Sequence, residues 1–279
     1  MQKRIEKGAG TYSLPSRRDL TLNYVLSLII AILMAVASIA GLLYQTIVYP
    51  TDTLLQSFVP NDVVNLCIGL PVLLVSMWLS WRGKLIGLLF WPGVLFSVLY
   101  TYIVYIFAMP LNMAFLLHLA LVMICVYTLV NLVASIDGTV VKQQLSGAVR
   151  ERLAGGVLAG LGLLFFLRVL SVMADALIKG TAIAHTELAL HIADFLTSPA
   201  WIICGILLWR REAFGYVTGL GMLFQASMLF IGLIIFLLLQ PYLTTAPFNL
   251  VDVVVIFVMG LICFVPCALF IHGVTFNRS

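Results

Sequence analysis

Eight apolar stretches, each about 20 to 26 residues long, occupy almost the whole of this 279-residue chain. A bilayer's hydrocarbon core is about 30 Å thick, so about 20 apolar residues in a helix cross it. Composition agrees, since 63% of the residues are hydrophobic, 9% are charged and the mean hydropathy is +1.15. The sequence therefore predicts an all-α, polytopic transmembrane helical bundle. We place its spans at residues 22–45, 60–81, 85–108, 112–136, 153–177, 188–209, 213–239 and 249–272.

The positive charges predict the orientation of the chain. Only Arg168, inside a span, and Lys179, in a loop, depart from a one-sided distribution. The other Lys and Arg residues lie at one set of span ends: Lys3, Arg4, Lys7, Arg17, Arg18, Arg82, Lys84, Lys142, Arg150, Arg152, Arg210, Arg211 and Arg278. The positive-inside rule then places both termini in the cytoplasm. The net charge of +4 follows from this topology, and we expect no nucleic-acid partner.

The chain contains signs of an internal repeat at an offset of 128 residues. Pro71 corresponds to Pro199 and Gly93 to Gly221, although similarity between two apolar hairpins also arises by chance. Because the offset covers four spans, the pattern predicts two parallel four-helix halves related by an axis along the membrane normal. The predicted divisions are an N-terminal tail at 1–21, a first half at 22–136, a cytoplasmic loop at 137–152, a second half at 153–272 and a C-terminal tail at 273–279.

Polar residues inside the spans lie mostly in the predicted non-cytoplasmic half. Such groups are costly in lipid and usually face the bundle interior or a water-filled cavity. We therefore predict a polar cavity, open to the non-cytoplasmic side, between the two halves. If the alignment of the two halves is shifted by one residue before Pro71 and Pro199, Asp62 and Asn65 correspond to His191 and Asp194. The candidate binding residues are Arg168, Asp194, His191, His118, Asn65, Asp62 and Tyr102.

These residues favour a small-solute or ion transporter. Arg168 would attract an anion or pair with a charge, and Asp194 with His191 would form a protonatable pair. An alternative is a non-catalytic sensor or assembly subunit, in which Arg168 and Asp194 form only a structural ion pair. A third is a membrane-embedded enzyme acting on a lipid, with His118, His191 and Asp194 as weak metal-ligand candidates.

The sequence contains no Walker loop, dinucleotide fingerprint or His-Glu-x-x-His motif, which favours a role other than catalysis. We expect no bound cofactor. The expected partners are the lipid bilayer and a small polar or charged solute, and the sequence gives no oligomeric state.

Several short motifs are shared with known sequences. They include Asn61-Asp62, Leu70-Pro71, Trp81-Arg82-Gly83 and Ala134-Ser135-Ile136-Asp137 in the first half, and Leu207-Leu208-Trp209-Arg210-Arg211 in the second. Through them the chain resembles a group of multi-spanning prokaryotic membrane proteins to which no activity is assigned. The resemblance implies an eight-span membrane protein and leaves the function open. Together with the one-sided charges, it leads us to expect a prokaryotic cell membrane.

Overall fold

The computed structural model describes residues 14–276, and eight helices in this range are long and apolar enough to cross a membrane. This confirms the all-α class, and the chain is a multi-pass integral membrane protein. The helices are α1 Thr21–Leu43, α2 Gln45–Val48, α3 Asp52–Val64, α4 Leu70–Trp81, α5 Leu85–Ala108, α6 Met113–Ser135, α7 Gly138–Leu145, α8 Glu151–Lys179, α9 His185–Trp209, α10 Ala213–Leu243 and α11 Leu250–Phe276. A π-helical segment, Asn65–Gly69, joins α3 to α4, so that 52–81 forms one span.

The helix ends differ from the predicted spans at a few places. The second span begins at Asp52 instead of residue 60, because the Thr51 side chain accepts a hydrogen bond from the Leu54 N–H (3.3 Å) and caps a polar first turn. The predicted 137–152 loop contains the short helix α7, whose N-cap is Asp137. Residues 1–13 and 277–279, which hold most of the predicted tails, lie outside the described range.

Helix α5 forms the centre of the bundle and positions the polar groups. In its most apolar window 72% of the residues are buried, against at most 44% in any other span. It packs against α4, α6, α9 and α10. Side chains on most of its faces therefore meet other helices, whereas α1, α6, α8 and α11 expose many large apolar side chains, as expected for contact with lipid.

Helices α5 and α10 cross with their backbones in contact. A methyl group built on Gly93 would overlap the backbone carbonyl of Gly221, so this approach requires glycine. Close by, the rings of Phe90 and Phe224 stack with their centroids 4.3 Å apart. Gly93 and Gly221 are also partners at the 128-residue offset.

Two tight turns, at residues 82–84 and 210–212, have the same hydrogen-bond pattern. The Lys84 N–H donates to the Leu79 carbonyl (3.0 Å), and the Glu212 N–H donates to the Leu207 carbonyl (2.9 Å). Each donor and each acceptor is separated from its counterpart by 128 residues. The α4–α5 and α9–α10 hairpins thus close in the same way. We call the side of the bundle that carries these turns the basic side.

The segment before α1 is fixed to the start of α7 on the basic side. The Arg17 N–H donates to the Ser135 carbonyl (2.7 Å), and the Arg17 guanidinium lies 3.3 Å from the Asp137 carboxylate. The Thr139 hydroxyl also donates to Asp137 (2.5 Å). Hydrogen bonds from Thr139 and then Arg17 lower the pKa of Asp137 to about 2.

Candidate functional site

The first group of polar residues surrounds Asp62, whose side chain is almost completely buried (1% exposed). The Tyr49 hydroxyl donates to one carboxylate oxygen (2.5 Å), and the Tyr105 hydroxyl donates to the other (2.9 Å). We call Tyr49, Asp62, Tyr102, Tyr105 and His118 the Asp62 cluster. All five are buried in the half of the bundle remote from the basic side.

Aromatic contacts bring His118 and Tyr102 into this cluster. The His118 ring meets the edge of Tyr105 with centroids 4.8 Å apart, and its centroid lies 5.5 Å from that of Tyr102. Gly41 of α1 supplies the space for the carboxylate, since a methyl group there would overlap Asp62. The predicted residues Asp62, Tyr102 and His118 therefore lie together.

Asp62 has hydroxyl donors but, within residues 14–276, no ion-pair partner. Hydrogen bonds offset part of the cost of burying a carboxylate, whereas a bare buried charge is very costly. A carboxyl group held only by hydroxyls suits either protonation state, because a hydroxyl both donates and accepts hydrogen bonds.

Asn65 lies one turn beyond Asp62, at the start of the π-helical segment. Pro71 has no N–H with which to satisfy a carbonyl in the preceding turn, which favours a local departure from α-helical bonding here. The Asn65 side chain is buried, and its amide nitrogen Nδ2 has no hydrogen-bond partner among the described residues.

A cavity of about 30 Å³ adjoins Asn65. Its polar wall includes Ser97 and Thr101 of α5, and Met228 of α10 closes one side. A site that holds one water needs about 10–15 Å³ and two or more polar partners. The cavity is therefore large and polar enough for a water molecule. It is lined by Met34, Asn65, Gly69, Val72, Val94, Ser97, Val98, Thr101 and Met228.

The second group, the Asp194 cluster, consists of Tyr100, Arg168, Glu187, His191 and Asp194. The Tyr100 hydroxyl donates to Asp194 (2.9 Å), and an Arg168 guanidinium nitrogen lies 4.0 Å from the other carboxylate oxygen. His191 Nε2 lies 3.6 Å from the Glu187 carboxylate. Asp194 and His191 are buried, whereas the Arg168 side chain is 57% exposed at the surface of the bundle.

The seven predicted site residues thus fall into two groups on either side of α5. Among residues 14–276, no hydrogen bond, ion pair or ring contact joins the Asp62 cluster to the Asp194 cluster. The prediction included Tyr102 but not Tyr100 or Tyr105, which supply the hydroxyl donors. Their spacing, Tyr100-x-Tyr102-x-x-Tyr105, places Tyr102 and Tyr105 on one helix face and Tyr100 on another. Tyr49 lies between helices, and its sequence context gives no comparable signal.

The π-helical segment gives a physical basis for the one-residue slip in the predicted repeat. Pro71 lies nine positions after Asp62, whereas Pro199 lies eight positions after His191. A π turn accommodates one extra residue, because its hydrogen bonds span five residues instead of four. The slip pairs Asn65 with Asp194. Asn65 lines the small cavity together with Met228, and Asp194 accepts a hydrogen bond from Tyr100. Tyr100 and Met228 are themselves 128 residues apart.

Of the three metal candidates, His118 lies in the Asp62 cluster, whereas His191 and Asp194 lie in the Asp194 cluster. In the described part of the chain, no group of three His, Cys, Asp or Glu side chains is arranged to hold a metal ion. Comparison with family models, curated proteins and solved structures gives no match for this chain.

Proposed function

We propose that this protein is a small-solute or ion transporter in which Asp62 and Asp194 bind and release protons. The observation that carries the proposal is the Asp62 carboxyl group, buried in a membrane-embedded bundle with two tyrosine hydroxyl donors and no ion-pair partner among the described residues. Buried carboxyl groups of this kind often belong to proton relays in pumps and transporters.

The surroundings of the two carboxyl groups support movement of the helices that carry them. Asp62 lies between Pro60 and the π-helical segment, and Asp194 lies five residues before Pro199. Prolines and π turns interrupt regular helix bonding and allow local bending. Asp62 is enclosed in this conformation, so the proposed cycle requires a second conformation in which it meets water on the side opposite the basic side.

We also infer that the chain consists of two related halves whose axis passes between α5 and α10. The Gly93–Gly221 contact, the matching turns and the compensated one-residue slip support this inference. Transporters built from repeats usually bind their substrate at the interface of the repeats. With the basic side in the cytoplasm of a prokaryotic cell, both termini would be cytoplasmic.

Proton movement in reconstituted vesicles tests the proposal. Vesicles containing a trapped pH-sensitive dye would be given a membrane potential, with and without a mixture of amino acids, sugars and carboxylates. We expect proton uptake by the wild type and loss of uptake in Asp62→Asn and Asp194→Asn. Asp175→Asn is the matched control, because Asp175 is an exposed carboxylate paired with Lys179 (2.8 Å).

A sensor or assembly subunit is the second candidate, and the enclosure of the Asp62 cluster favours it. In that case the hydroxyl–carboxylate bonds would only stabilise the bundle. Asp62→Asn would then lower the yield of folded protein, and the wild type would move no more protons than protein-free vesicles under either condition. That outcome would contradict the transporter proposal.

A further inference from the structure

Arg168 is placed unusually for a charged residue in a membrane-spanning helix. Arg168 lies about 24 Å along α8 from Arg152 and about 10 Å before Asp175. It is the one charged residue in the stretch between Arg152 and Asp175. More than half of its side chain is exposed at the bundle surface. An arginine near the centre of a spanning helix is costly to insert into a membrane, so this position calls for a compensating partner.

Asp194 compensates Arg168 only in part. Their closest atoms are 4.0 Å apart, beyond hydrogen-bond distance, and Asp194 already accepts a hydrogen bond from Tyr100. A guanidinium group has five N–H donors arranged as a planar fork, which suits the paired oxygens of a carboxylate or phosphate. The exposed edge of Arg168 is therefore available to an anion outside the bundle.

A shallow, open groove runs along the surface of α8 beside this arginine, and all the residues that line it belong to α8. Arg168 and Ser171 lie toward one end, and Gly160 lies at the other, where an added methyl group would meet no atom within 4 Å. Between them the surface is formed by leucines about half exposed: Leu163, Leu164 and Leu167. From Gly160 to Ser171 the groove is about 17 Å long and crosses the middle of α8.

We propose that this groove binds a lipid with an anionic head group from the leaflet opposite the basic side. The end with Arg168 and Ser171 lies toward that interface, and the leucine surface extends from there across the bilayer centre, so a lipid of this leaflet would have its head group at the Arg168 end. Arg168 reaches outward along the apolar surface to the head group while keeping its contact with Asp194. Ser171 adds a hydroxyl donor. Phospholipids and free fatty acids share this chemistry.

A second copy of the chain is a poorer occupant. The exposed carboxylates of the remote half, such as Glu187 and Asp252, lie near the first turns of α9 and α11. They are therefore close to the interface instead of at the depth of Arg168. The proposed lipid site does not depend on the proposed transport activity.

Lipid retention and thermal stability of the purified protein test the proposal. The probes are dioleoyl phosphatidylglycerol, oleic acid and, as the neutral comparison, dioleoyl phosphatidylcholine, each added in mixed micelles. Native mass spectrometry should detect a bound anionic lipid on the wild type, and binding should be about fivefold weaker in Arg168→Gln, as expected for one basic residue near a lipid surface. The probe that binds more tightly distinguishes the two lipid sources. Arg152→Gln, near the basic side, is the control and should retain the lipid.

Gly160→Leu keeps the charge but fills the apolar end of the groove, so it should also weaken lipid binding. Because the space around Gly160 is open, this variant should fold even if Arg168→Gln does not. Equal retention of phosphatidylglycerol and oleic acid by the wild type, Arg168→Gln and Gly160→Leu would overturn the proposal. A dimeric wild type with a monomeric Arg168→Gln would also overturn it, in favour of an interface with a second copy.

Discussion

Gly93 and Gly221 contact each other through backbone atoms at the crossing of α5 and α10, and they are separated by the 128-residue offset of the predicted repeat. Equivalent residues that lie next to a two-fold axis contact each other, so this contact supports the proposed relation between the halves. The Asp62 and Asp194 clusters then lie on either side of this crossing, each with a tyrosine from α5.

Gly93→Ala should destabilise the protein by about 1–3 kcal/mol, because the new methyl group overlaps the Gly221 carbonyl in a packed interface. Gly160→Ala is the control. It should be neutral or stabilising by up to about 1 kcal/mol, since it removes a helical glycine at an open position. Thermal unfolding in detergent measures both, and equal effects of the two substitutions would argue against the close crossing.

Tyr105→Phe should lower stability by about 1–3 kcal/mol, since it removes a hydrogen bond to the buried Asp62 carboxyl. The loss should shrink when Asp62→Asn is already present, and a double-mutant cycle on the unfolding free energy measures this coupling. Tyr242→Phe is the control, because the Tyr242 side chain is largely exposed. Additive effects in the cycle would show that the hydroxyl stabilises the bundle without acting through Asp62.

Arg211→Gly should be more stable than Arg211→Ala by about 1 kcal/mol. Arg211 has a φ of 59°, in the left-handed region that favours glycine, and its counterpart Gly83 has a φ of 73°. Comparing the two variants cancels the loss of the 3.6 Å ion pair with Glu151, which both remove. Gly83→Ala should be destabilising by a similar amount, and a stabilising effect would contradict the equivalence of the turns.

Met228→Tyr should be tolerated, because Met228 lines the cavity beside Asn65 at the position that corresponds to Tyr100 in the other half. The new hydroxyl would approach the Asn65 amide as Tyr100 approaches Asp194. Met222→Tyr, a buried methionine on the same helix, should instead cost about 1–3 kcal/mol through overpacking. Thermal unfolding compares the two, and an equal loss would count against the inferred relation between the halves.

Asp137 should stabilise the basic side in a pH-dependent way. Its folded pKa of about 2 lies below the ordinary value of about 3.9, so its contribution is complete above that value and is lost as the pH falls toward 2. The stability difference between the wild type and Asp137→Asn should therefore shrink between pH 5 and pH 2. Unfolding free energies measured across this pH range test the prediction. If the difference between the wild type and Asp137→Asn stayed constant, the contacts of Asp137 with Thr139 and Arg17 would not be what stabilises the protein.

The sequence determined the membrane class, the number of spans and most of their ends, because apolar length and the distribution of charge are local properties. The bounds of α5 match the prediction, since Lys84 precedes an uninterrupted apolar run that ends before Pro110. The earlier start of α3 was missed because its first turns are polar and hydropathy alone does not detect a Thr51 cap.

Only the tertiary structure decided which polar residues meet. The sequence placed seven candidates at similar depth, but depth does not specify the direction in which a helix face points. Rotation and packing of α5 bring Tyr105 to Asp62 and Tyr100 to Asp194, while α8 turns Arg168 toward the bundle surface. Tyr49, from a segment between helices, completes the Asp62 cluster through a contact that no helical period predicts.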